Sequence, residues 1–116
     1  MLINTQQVAY NFGMNALNEL IRQQKMFSIS SFEYNETKFN FRVPYKLGFS
    51  FDGKHYYHEN DELEIYAREE KLEDLLIEVY DSIYCLWKGY AEKKDSELSK
   101  GAIELKNTLK KMIEVS

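Results

Sequence analysis

Cysteine and proline are almost missing from this chain, each occurring once. A single thiol, Cys85, excludes an internal disulfide and a thiolate metal cluster. It lies among Ile83, Leu86 and Trp87, which predicts a buried, inert side chain. A nucleophilic cysteine wants a base and an exposed, electropositive site instead. The five glycines (Gly13, Gly48, Gly53, Gly89, Gly101) are scattered, so there is no Gly-rich phosphate loop. No apolar run approaches the ~20 residues of a membrane span. The N-terminus lacks the basic-then-apolar order of a signal peptide, and the cytoplasm is the expected compartment. No repeat, low-complexity tract or linker divides the 116 residues, which are expected to form one domain, 1–116.

What the chain has in abundance is aromatic rings and segregated charge. Nine Tyr and seven Phe supply a core and also suit interface anchors. Between Glu59 and Asp81 stand ten acids and two bases (Arg68, Lys71), a local net of −8, while each flanking part is slightly basic. The total of −4 and a pI near 5.2 do not suit a general nucleic-acid binder.

Periodicity places the elements. Asn4 can cap a helix over 5–24, with Val8, Phe12, Ala16 and Leu20 on one stripe. The pattern then changes to period two. Strands are expected at about 27–34, 38–43, 47–51, 54–58 and 62–67. A bulge near Ser30-Ser31 would reconcile the two parities of the first strand. Pro44 should end the second strand or sit on an edge, and Asp52-Gly53 is the strongest hairpin signal. Leu72, Leu75, Leu76, Val79, Ile83, Leu86, Trp87 and Tyr90 mark a helix over about 69–93, with acids in its first turn to complement the dipole. Ser99 caps a last helix over about 99–114. The expected fold class is α+β: an antiparallel meander sheet of four to five strands, packed by an N-terminal helix and two C-terminal helices.

The chemical candidates are few. His55-x-x-His58 is the only histidine pair, and on a strand residues three apart face opposite ways. With Glu59 and Asp61 it would make a metal-dependent hydrolase, the third reading. Solvation is the more natural role of these carboxylates, and no nucleophile motif accompanies them. Tyr56, Tyr57 and Tyr66 would stack on a base, with Arg42 or Lys54 for its phosphates, which gives the second reading, a nucleotide-like ligand module. No catalytic residue, metal or cofactor is assigned, and the chain is not expected to be an enzyme.

From Leu47 onward the order is strand, Asp-Gly turn, strand, short strand, then the helix start Glu69-Glu70-Lys71-Leu72-Glu73-Asp74-Leu75. With Leu86-Trp87-Lys88-Gly89-Tyr90-Ala91 and Glu97 to Lys106, this resembles the HicB-like antitoxins and related small bacterial or phage proteins over residues 47–109. Lys71 and Leu75 stand where that family has Thr and Ala, and no ribbon-helix-helix or helix-turn-helix module is present. The resemblance implies a partner-neutralising role without direct nucleic-acid binding.

The first reading is therefore a small acidic inhibitor, of antitoxin, immunity or phage anti-defence (anti-CRISPR-like) type. Its expected partner is a basic protein such as a toxin, nuclease or other nucleic-acid-binding protein, with no membrane involved. The expected contact residues are Glu59, Asp61, Glu62, Glu64, Glu70 and Asp74, with Tyr56, Tyr57 and Tyr66 as anchors. A homodimer through a sheet edge is a further expectation.

Overall fold

The computed structural model describes residues 25–116. The expected helix over 5–24 lies outside the described residues. Strand β1 (Met26–Tyr34) and strand β2 (Thr37–Gly48) form an antiparallel hairpin. Its tight turn is Asn35-Glu36, both in the left-handed region (φ 49 and 63), as a two-residue hairpin of this hand requires. Asn tolerates that conformation better than Glu.

The hairpin is irregular. Ile29 faces Tyr45 but Ser31 faces Asn40, so β2 carries the surplus residues. Pro44 sits in this bulge and does not end the strand, because the missing N–H falls where β1 makes no ladder.

Five strands in one meander are not what forms. There are two three-stranded sheets among the described residues, ordered β1-β2-β6 and β3-β4-β5. The free edge of β2 is taken by β6 (Ile113–Val115), with Phe41 opposite Ile113. The Phe49 N–H still donates to the Lys25 carbonyl at 3.1 Å, the last bond of the first sheet. Beyond it the chain turns away into the short β3 (Ser50–Phe51), which pairs with β4 (Tyr56–Asn60), and β4 pairs with β5 (Ile65–Glu69). The expected meander fails because β6 takes the β2 edge at Phe39 to Phe41 and the chain turns away after Gly48, so that β3 pairs with β4 and not with β2.

Helix α1 (Leu72–Leu86) serves both sheets. It buries Leu72, Leu75, Leu76, Val79, Tyr80 and Ile83 on one stripe. Phe32 of β1 stacks between Phe39 (4.9 Å) and Tyr80 (4.3 Å). Trp87 meets Phe39 edge-on at 6.2 Å. These ring pairs form the core between the first sheet and α1. A π-turn, Trp87–Ala91, widens the helix end and buries Trp87 and Ala91. Helix α2 (Lys100–Met112) follows, its first turn capped by the Ser99 hydroxyl, which accepts from the Ala102 N–H at 3.2 Å. Only Leu109 of α2 is fully buried. Cys85 is exposed, not buried as expected, because it falls on the solvent side of α1.

Candidate functional site

The β4–β5 register assigns the outer and inner faces of the second sheet. Glu59 lies opposite Tyr66 and Tyr57 opposite Arg68 on the outer face. His58 opposite Ala67 faces inward and both are buried. Tyr56 also faces inward and is only 3% exposed, so this expected anchor belongs to the core and presents no surface. Adjacent tyrosines on a strand must point to opposite faces, and the buried parity takes Tyr56.

At the tip of this hairpin the carboxylates gather around one ring. Tyr66 is 62% exposed, and its hydroxyl donates to Asp61 at 3.1 Å. That hydrogen bond and the Asp61 charge push the hydroxyl up, and Glu64 and Glu59 add to the effect. Glu64 holds a left-handed backbone (φ 55), which reverses the chain into β5. Glu62 is exposed in the same turn.

The other end of the outer face is tied up internally. The Tyr57 hydroxyl donates to Asp52 at 2.6 Å, and the Arg68 guanidinium lies 5.9 Å above the Tyr57 ring. That hydroxyl bond, with the Lys54 and His55 N–H groups, holds the Asp52 carboxyl well below the usual carboxylate range. Arg68 donates to His55 Nδ1 at 3.3 Å, and His55 Nε2 lies 3.8 Å from Glu70.

The acidic run is thus divided in space. Glu59, Asp61, Glu62 and Glu64 sit at the hairpin tip. Glu69 ends β5 and Glu70 follows it, roughly 13 Å along at ~3.4 Å per residue. Asp74, Glu78 and Asp81 recur at helical spacing along α1, where the Tyr34 hydroxyl donates to Asp81 at 2.7 Å. Burial and the neighbouring Glu69 carboxylate push the Glu78 carboxyl up. Among the described residues, Glu70 is the one acid of the run with a basic partner, and that partner is a histidine.

His55 and His58 do not converge. His58 is committed to Tyr45 and Gly48, and His55 to Arg68 and Glu70. Among the described residues no three His, Cys, Asp or Glu side chains are grouped to hold a metal ion. Arg42 lies in the first sheet, paired with Glu114 at 3.5 Å, and Lys54 lies in the Asp52 turn. No described helix is long and apolar enough to cross a membrane.

One feature of this region is not visible in the sequence. Glu62 and Glu64 face α2 across an open groove of about 450 Å³, lined also by Tyr90, Glu104 and Leu105. Glu104 is some forty residues further along, and no local pattern links it to the turn. No protein-family model, curated protein or solved structure matches the chain.

Proposed function

We propose that this protein is a small acidic inhibitor that docks the tip of its β4–β5 hairpin on a basic protein surface. The observation that carries the reading is Tyr66: a solvent-exposed ring encircled by Asp61, Glu59 and Glu64, none of which is neutralised by a lysine or arginine among the described residues. An amphipathic ring gives contact area at small entropic cost, and surrounding carboxylates select a cationic counterpart. Glu62 flanks the patch. Asp74 and the other α1 acids belong to the helix and not to the hairpin tip, and act by steering a cationic partner toward the face. Tyr57, half-buried and bonded to Asp52, supports the hairpin and does not serve as an anchor.

Carboxylates at this density stand where phosphates would sit on a toxin, nuclease or other nucleic-acid-binding protein, so occupation of that surface excludes its nucleic acid. The HicB-like resemblance supplies the same class of partner. The reading is tested by capture from a lysate of the source organism with wild-type bait and a Glu59→Lys/Asp61→Lys/Tyr66→Ala bait in parallel. A basic protein retained by the first and lost by the second supports it. Equal capture by both, or none by either, counts against it.

A further inference from the structure

Beside α2 the groove at Glu62 is joined by a second one of opposite charge. That second groove, about 280 Å³, is lined by Val43, Pro44, Lys46, Asn60, Lys111 and Met112 among others. Both are bounded by the same face of α2. Gly101, Glu104, Leu105 and Thr108 line the first, and Lys111 and Met112 the second. At 3.6 residues per turn these six positions form one stripe, with Glu104 and Lys111 two turns, or ~10 Å, apart. The turn on the other side follows suit, with Glu62 and Glu64 at the acidic end and Asn60 at the basic end.

The stripe is poorly covered. Leu105 and Met112 are only half-buried, and Val43, on the β2 bulge beside Lys111, is 76% exposed. Among the described residues Glu62, Glu64, Glu104, Lys46 and Lys111 make no ion pair. A surface that is acidic at one end and basic at the other is complementary to itself when turned through 180°.

We infer that two copies of this chain associate through this face, with their α2 helices antiparallel about a two-fold axis near Thr108. Glu104 and Glu62 of each copy meet Lys111 and Lys46 of the other, with Leu105 nearer the axis and the stems of Met112 and Val43 flanking the basic ends. The two-fold symmetry uses each charge pair twice, which a non-self partner of one sign would not. The interface shares Glu62 and Glu64 with the edge of the docking patch, while Tyr66, Asp61 and Glu59 line neither groove, and sedimentation of the chain alone tests it without the inhibitor's partner.

Charge swapping tests this by sedimentation velocity. One variant is Glu62→Lys/Glu104→Lys, the other Lys46→Glu/Lys111→Glu, and circular dichroism confirms that each is folded. The wild type should form dimers that weaken at high salt, as the screening length falls from about 10 Å at 0.1 M to about 3 Å at 1 M. Each variant alone should dissociate at least about tenfold more readily, a loss of ~1.4 kcal/mol. Mixing the two variants should restore a dimer, since both ends again meet opposite charge. A wild type that stays monomeric, a dimer indifferent to either variant, or a mixture that remains monomeric overturns the inference.

Discussion

The Tyr45 hydroxyl stands 2.7 Å from His58 Nε2, and this contact links the two sheets through a buried polar chain. His58 Nδ1–H donates to the Gly48 carbonyl at 2.7 Å, which leaves Nε2 to accept the Tyr45 proton. Asn60 Nδ2 donates to the Tyr45 oxygen at 3.1 Å, and Asn60 Oδ1 accepts from the Leu63 N–H at 3.0 Å. One tautomer satisfies every group from β2 to the β4–β5 turn. The chain of bonds thereby positions the turn that carries the acidic patch.

Removing the Tyr45 oxygen strands both His58 Nε2 and Asn60 Nδ2. Tyr45→Phe should therefore cost about 1–3 kcal/mol, the usual penalty of unsatisfied buried groups. Urea unfolding measures it, and an unchanged midpoint would show that the linkage between the sheets contributes nothing.

The same histidine sets a pH dependence. His58 is 3% exposed, and burial lowers its pKa, partly offset by the Gly48 bond and the Glu59 charge. The unfolded chain thus binds the proton more readily than the folded one. Stability is full above the ordinary value near 6.5 and falls as pH drops below it. The slope in that window approaches at most ~1.4 kcal/mol per pH unit for one group. Urea midpoints from pH 8 to pH 5 should fall for the wild type and fall less for His58→Gln. Equal slopes in the two would remove His58 as the cause.

Long-range pairing is the part of the fold that local sequence pattern encodes least. The α1 stripe from Leu72 to Ile83 was legible because a 3.6 period holds over several turns. The strand β6 was hidden, since Leu105, Leu109 and Met112 continue helical spacing up to Ile113 and three residues are too few to show period two. Without β6, nothing marks the β2 edge at Phe39 to Phe41 as taken, and a single meander follows. The acidic charge was plain in the sequence, but its division was not. That depends on β5 carrying Ile65 to Glu69 away from the tip, and on Glu104 returning from a distant helix.

Asp52 anchors the turn before β4 by accepting from the Lys54 and His55 N–H groups at 2.9 and 2.7 Å. With Asp52→Ala, amide exchange at these two residues should accelerate, because the replacement offers no acceptor. Exchange at Phe39 and Phe41, in the β2 ladders, should be unaffected. Uniform acceleration would point to global destabilisation instead.

Cys85 lies on the solvent side of α1. It should react with a thiol-specific disulfide reagent in the native protein, without denaturant. Reaction only after unfolding would contradict a helix register that turns Cys85 outward.

The most direct measurement concerns the partner's own ligand. With the captured basic protein bound to labelled nucleic acid, addition of this protein should release the label as the two proteins reach equivalence, and the Glu59→Lys/Asp61→Lys/Tyr66→Ala variant should leave it bound. A ternary complex that retains the nucleic acid, or release by the variant as efficient as by the wild type, would contradict the proposal that the tip carboxylates occupy the phosphate site.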